Sequence, residues 1–259
     1  FDFSDILDVG YSHMNESNPQ LVNEDYVRTW TLSSTPKFDP NTNAFRATDQ
    51  VSVTIKRKPN GLMSNVLHDN ADKLISSKLP VAFKGTGKGF SCFNDALDGN
   101  TPRIPSQMLW IAGGVGITPF MSFWDGILQV AAAYPDQIST DIVLLYAGRG
   151  DDISVLKHFG AQHTPLPKHV KLSIIGFQSG KPARSTAQSV RDGLHQTHSD
   201  NVLRLEERRI QVDDIQSVAN LSDRDVFMCG PDTLMTWCET SLTELNVEEA
   251  RRLRESFTF

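Results

Sequence analysis

MLWIAGGVGITP, residues 108–119, decides how the rest of the chain is read. The apolar run Met108 to Ala112 ends at Gly113-Gly114. Gly116 follows, then Thr118-Pro119, and a helical pattern begins. Glycines let backbone amides approach a ligand closely and permit positive φ. Thr118 suits an N-cap, and Pro119 suits the first helical position, where its missing N–H costs nothing. A strand, a tight turn and a capped helix N-terminus in that order predict a seat for a phosphate or pyrophosphate.

Downstream of this stretch the pattern alternates. Strands are expected at 108–112, 142–147, 170–175 and 226–229. The helix after Pro119 sets Phe120, Phe123, Ile127 and Ala131 on one face, and a second helix carries Leu234, Trp237, Leu242 and Leu245 at helical spacing. Such alternation predicts an α/β doubly wound parallel sheet with ligands at the C-terminal strand ends. Residues 178–200 are polar and poorly patterned, and read as a long loop with room for a short helix.

Upstream, strand and turn signals dominate. Residues 26–32 are rich in β-formers, and Val51, Val53 and Ile55 alternate with Ser52, Thr54 and Lys56, as in a half-buried strand. Pro59-Asn60-Gly61 is a turn, 61–69 a short helix, and 81–84 a further strand before Gly85, Gly87 and Gly89. These signals predict a small antiparallel β-barrel with one inserted helix. The linker DGNTP (98–102) then divides a barrel domain, 1–101, from an α/β domain, 102–259.

Length and charge bound the rest. The chain has 259 residues, which suits two domains, and a net charge of −6, which argues against a nucleic-acid surface. Lys56-Arg57-Lys58 and Arg251-Arg252 read as solvated faces. No apolar run approaches membrane-spanning length, and no signal-peptide pattern opens the chain. The three cysteines, Cys92, Cys229 and Cys238, have neither disulfide-framework nor metal or iron–sulfur spacing, and point to a reducing, cytoplasmic compartment. His195 and His198 have helical ligand spacing but no third partner, so no metal site is expected. The opening FDFSDILDVG lacks an initiator Met and reads as the interior of a strand, so the chain is expected to be a fragment.

Five segments carry chemistry. On a strand, Arg28 and Trp30 of RTWTLS share one face, where an arginine can hold a pyrophosphate and an aromatic ring can cover another. Thr31 and Ser33 offer hydroxyls to ring heteroatoms; an exposed strand with one Arg is the plainer reading. Gly61-Leu62-Met63-Ser64 opens the short helix with free amides and the Ser64 hydroxyl, or is a simple turn. The 113–119 turn is the third. In YAGR, Arg149 ends the second parallel strand, facing a phosphate or ribose or merely solvent. In VFMCGP, a strand ending in Cys229, Gly230 and Pro231 lets a planar ring approach the backbone, or Cys229 is a buried structural thiol.

Taken in order, RTWTLS, GLMS, GGVGITP, LLYAGR, FMCGP and the C-terminal ESFTF resemble the ferredoxin–NADP reductase superfamily from about Arg28 to the end. The resemblance implies two dinucleotides, FAD and NADPH or NADH. Arg28 would bind the FAD pyrophosphate, Trp30 would pack beside the flavin, Thr31 would hydrogen-bond its ring system, and Gly61 and Ser64 would complete the pyrophosphate site. Gly113, Gly114, Gly116, Thr118 and Pro119 would hold the pyridine nucleotide pyrophosphate. Cys229, Gly230 and Pro231 would lie by the nicotinamide, and Glu255 and Phe257 near the flavin. Cys229 and Glu255 are the catalytic candidates.

Three features depart from the family. Trp30 stands where Tyr is usual, the first barrel strands are missing before Phe1, and 178–200 shows no cofactor-selecting pattern. The implied activity is an FAD-dependent oxidoreductase that passes a hydride from NAD(P)H to FAD and electrons to an acceptor. Arg149, Lys181 and Arg184 lean the nucleotide towards NADPH. The acidic balance disfavours docking of an acidic carrier and favours an acceptor domain fused on the same polypeptide. The competing class is an interaction module that keeps the fold without turnover.

Overall fold

The computed structural model describes residues 30–58, 61–72, 90–93, 103–161, 167–180, 184–195 and 203–257. The chain forms two compact units, residues 1–31 with 53–87 and residues 32–52 with 88–259. The described part of the smaller unit is Trp30, Thr31, 53–58 and 61–72. It contains helix α1, Leu62–Asp69.

The larger unit opens with an antiparallel hairpin, β1 (Phe38–Asp39) and β2 (Ala44–Phe45). Then follow β3 (Gln107–Gly113), α2 (Thr118–Ala133), β4 (Thr140–Arg149), α3 (His158–Ala161), β5 (Val170–Ser179) and α4 (Arg184–His195). After these come β6 (Leu203–Glu206), α5 (Val212–Gln216), β7 (Asp225–Pro231), α6 (Asp232–Glu244) and β8 (Arg252–Phe257). β3 to β8 form one six-stranded sheet in the order β6-β5-β4-β3-β7-β8, with every neighbouring pair parallel. The chain winds outward from β3 through β4 and β5 to β6, then returns to β7 on the other flank. The order therefore reverses between β3 and β7, where a crevice opens beyond the strand ends in doubly wound sheets.

The alternation of side chains along β3 explains why helices cover both faces. Met108, Trp110 and Ala112 pack with Phe120, Phe123 and Ile127 of α2 on one face. Leu109 and Ile111 pack with Ile215 of α5 and Met235, Cys238 and Leu242 of α6 on the other. Trp110 stacks on Phe120 with ring centroids 5.3 Å apart. The hairpin is clasped to α2: Phe38 N–H donates to Gln129 Oε1 (2.8 Å) and the Tyr134 hydroxyl to the Pro40 carbonyl (3.1 Å). Among the described residues, no helix is long and apolar enough to cross a membrane.

The two-domain class, antiparallel β structure followed by a doubly wound parallel sheet, is the one the sequence leads to. All four expected parallel strands are present and extend beyond the expected limits. Several details differ. The alternation at 51–56 makes no ladder: Val53 forms only an isolated bridge and Val51 is 42% exposed. Ser52 instead donates its N–H to Ser34 Oγ (2.8 Å), so a side chain takes the place of a strand partner. Within 178–200, read as a long loop with room for a short helix, β5 continues to Ser179 and Arg184–His195 is a helix of 12 residues, while 181–183 and 196–200 lie outside the described residues. On α6 the buried face is Met235, Cys238, Ser241 and Leu242; Leu234 and Trp237 are half-buried. Of the strand expected at 26–32, residues 30–32 form no ladder, with only an isolated bridge at Leu32, and 26–29 lie outside the described residues, as do the strand read at 81–84 and the linker 98–102.

Candidate dinucleotide site

β3 ends at Gly113 and runs into a 3₁₀ turn, Gly114–Ile117, which passes directly into α2. The helix therefore has no extended residue before it. The cap position is Ile117, already in helical geometry, with no side-chain cap bond. The expected N-cap at Thr118 is thus corrected: Thr118 is the first helical residue and is buried, and Pro119 is the second. Because the turn runs on into the helix, the Thr118 N–H donates to the Val115 carbonyl, and Pro119 has no N–H to offer.

The glycines of this turn divide by role. Gly114 has φ +54, and a side chain there would meet nothing within 4 Å. It is an open cradle that a Cβ would begin to fill, and it fits a phosphate group. Gly116 faces the other way. A Cβ there would stand 2.2 Å from the Cys229 carbonyl oxygen and 2.7 Å from Gly230 Cα, so this glycine lets the turn close against β7. Only part of the glycine signature, then, is turned to open space.

β7 carries the second cluster. In register, Cys229 lies between Ala112 of β3 and Glu255 of β8, Gly230 beside Ser256, and Pro231 beside Phe257. Cys229 is fully buried, and its Sγ lies 3.9 Å from Glu255 Oε2. Burial above all, and then the neighbouring Glu255 carboxylate, push the thiol far above its ordinary range. The sheet therefore brings together the two catalytic candidates, which are 26 positions apart in the chain.

A third group lies at the ends of β4 and β5. Arg149 is exposed, and its N–H donates to Asp152 Oδ2 (3.1 Å). Gly150 (φ +52) and Gly180 (φ +91) follow the last residues of β4 and β5, as Gly114 follows β3. Three adjacent strands thus end in left-handed glycines. Gly150 and Gly180 were not singled out from the sequence, although Arg149-Gly150 and Ser179-Gly180 each close an apolar run. Lys181 and His198 lie outside the described residues; Arg184 and His195 begin and end α4. Among the described residues, no group of three His, Cys, Asp or Glu side chains gathers as for a metal.

In the smaller unit, Arg28 lies outside the described residues, and Trp30 and Thr31 are half-buried. Gly61 is the extended cap of α1 (φ −81), again with no side-chain cap bond. The Gly61 N–H donates to the Lys58 carbonyl (2.9 Å), and Ser64 Oγ accepts from the Lys58 N–H (3.1 Å). Ser64 thus closes the turn before the helix and keeps its own proton to donate. Ser33 belongs to the larger unit. Its hydroxyl (3.3 Å) and its N–H (2.9 Å) both donate to the Ser52 carbonyl.

Residues 110–240, half of the chain, match the family model of the oxidoreductase NAD-binding domain. The chain is 31% identical over 243 residues to the glycine betaine monooxygenase reductase subunit of Chromohalobacter salexigens, covering 92% of this chain and 53% of that protein. It is 27% identical over 223 residues to the ferredoxin reductase component of 3-ketosteroid-9-alpha-monooxygenase of Mycobacterium tuberculosis, covering 85% and 47%. The crystal structure of the Amycolatopsis cytochrome P450 reductase GcoB superposes with a TM-score of 0.51 at 16% identity, over 90% of this chain and 56% of that one, a likeness of fold. The chain spans between a third and about half the length of the curated relatives it matches.

Proposed function

The chain belongs to the oxidoreductase NAD-binding family within the ferredoxin–NADP reductase superfamily, and from that we propose that it is the reductase module that draws a hydride from NAD(P)H into FAD. The cofactors supply the redox chemistry, a hydride from the nicotinamide and onward electron release from the flavin. The protein binds and orients. The open turn at Gly114, just before the N-terminal end of α2, takes the pyridine nucleotide pyrophosphate, where the helix dipole favours negative charge. Gly61, Ser64 and Arg28 take the FAD pyrophosphate, and Trp30 and Thr31 serve the flavin ring. Cys229, Gly230 and Pro231 give the nicotinamide a flat approach. Cys229 stays a neutral thiol there, with the Glu255 carboxyl beside it.

The observation that carries this reading is the open Gly114 cradle, leading unbroken into α2 at the reversal point of the sheet. Arg149, exposed at the end of β4, supports NADPH as the preferred donor. The net charge of −6 supports an acceptor tethered on the same polypeptide rather than an acidic carrier docking from solution. A separate oxygenase-type acceptor is favoured instead by the names of two relatives, a monooxygenase reductase subunit and a monooxygenase ferredoxin reductase component.

The test is an anaerobic titration of the full-length protein after reconstitution with FAD. The flavin absorbance is expected to bleach on adding NADPH, and more weakly with NADH. A protein that retains no FAD, or whose flavin stays oxidised with both nucleotides, overturns the reading in favour of a non-catalytic module.

A further inference from the structure

The geometry points to Gln178 as the residue that positions the shelf for the adenosine half of the pyridine nucleotide, an assignment that rests on the reductase reading above. The strand order supplies the direction. With the pyrophosphate on the Gly114 turn after β3 and the nicotinamide beside β7, the adenosine half must run the opposite way, over the ends of β4 and β5. Two strand spacings are about 10 Å, a span that the ribose and adenine can cover.

At that end of the sheet the backbone is open. Gly150 has φ +52, and a side chain there would meet nothing within 4 Å. Gly180 has φ +91, and its nearest neighbour would be the Gly150 nitrogen at 3.9 Å. These left-handed residues form a bare surface after Arg149 and Ser179. What holds Gly150 is Gln178, which pairs in register with Gly148 and is 4% exposed. Its Nε2 reaches forward to donate to the Gly150 carbonyl. Ser179 Oγ adds a bond to the Gly148 carbonyl (3.4 Å), and the Tyr146 hydroxyl one to the Asp152 carbonyl (3.3 Å). A buried amide side chain on a strand whose buried residues include Leu172, Ile174 and Phe177 is costly unless bonded. Here its donor goes to the backbone of the open turn. Gln178 touches no reacting atom; it acts through Gly150 and Arg149.

The test uses the FAD-loaded holoenzyme with ferricyanide as acceptor, and two competitive fragments, 5′-AMP for the adenosine half and nicotinamide mononucleotide for the other. In Gln178→Met, which fills the same space without a donor, the inhibition constant of 5′-AMP is expected to rise about fivefold, the worth of one hydrogen bond. The KM for NADPH should follow, with kcat, nicotinamide mononucleotide inhibition and FAD retention unchanged. Gln178→Asn keeps the amide but is one carbon too short. It is expected to show the same selective loss, and it secures the result if the Met variant folds poorly. An unchanged 5′-AMP constant, or equal weakening of both fragments, overturns the assignment. A wild-type holoenzyme that is neither inhibited by 5′-AMP nor reduced by NADPH overturns the reductase reading instead.

Discussion

Cys229 shows how one residue can satisfy two readings at once. It is fully buried, as a structural thiol is, yet it stands near the C-terminal end of β7 with Glu255 at 3.9 Å. Its pKa is raised, first by burial and then by the carboxylate, so the proton is held well into alkaline solution. The thiol therefore contributes shape and a weak S–H donor, not a nucleophilic thiolate. Replacing it should disturb nicotinamide placement without touching FAD. In Cys229→Ala, stopped-flow reduction of the flavin by NADPH is expected to slow about tenfold, equivalent to roughly 1.4 kcal/mol of barrier. FAD content should be unchanged, and neither protein should show a thiol titration between about pH 6 and 9. A wild-type reduction rate in the variant would remove Cys229 from the site. The identity of Cys229 and its place at the end of an apolar run were legible in the sequence. Its pairing with Glu255 was not, because parallel register between β7 and β8 joins residues that no local pattern connects.

At the level of the element, the strand–turn–helix at 107–133 has the order its sequence predicts, but not all of the reasons. Glycine marks both an approach to ligand and an approach to neighbouring backbone, and composition does not separate the two. Gly116 is of the second kind. In Gly116→Ala the new methyl would lie 2.2 Å from the Cys229 carbonyl, a backbone atom that cannot swing aside. The expected loss is about 1–3 kcal/mol in a urea unfolding series, because either the turn or β7 must shift. Nicotinamide-dependent flavin reduction should fall with it, since both walls of the crevice move. Unaltered stability would show that the turn and β7 are not in contact. The elements that the sequence left unread share a cause. β6 and β8 are sheet edges: β6 is only four residues long, and Arg252–Phe257 carries Arg252, Arg254 and Glu255, so neither shows the apolar run that marks the central strands. α4 is largely polar because it packs on the sheet with few residues, Val190 and Leu194 among them.

At the scale of the whole molecule, Arg224 ties together the N-terminal strand ends of the larger unit, at the end of the sheet opposite the Gly114 turn. Arg224, only 2% exposed, donates to the carbonyls of Ala219 (2.8 Å), Met108 (3.0 Å) and Asp141 (2.9 Å), and pairs with the Asp141 carboxylate. It thereby joins the N-terminal ends of β3 and β4 to the entrance of β7. Arg224→Met leaves those carbonyls without their donor and is expected to cost about 2–3 kcal/mol in denaturant unfolding, the penalty of buried acceptors left unsatisfied. A loss below about 1 kcal/mol would show that water replaces the guanidinium. By itself the amino-acid sequence determined the class of fold, the four central strands, the glycine-rich turn after β3 and the membership that its ordered motifs announce. These depend on local periodicity and on glycine, proline and hydroxyl chemistry, which act over a few residues. Only the tertiary structure decided which glycines face open space, which thiol meets which carboxylate, and which amide holds the shelf at β4 and β5. Those are contacts between strands distant in the chain, set by the order and register in which the sheet assembles.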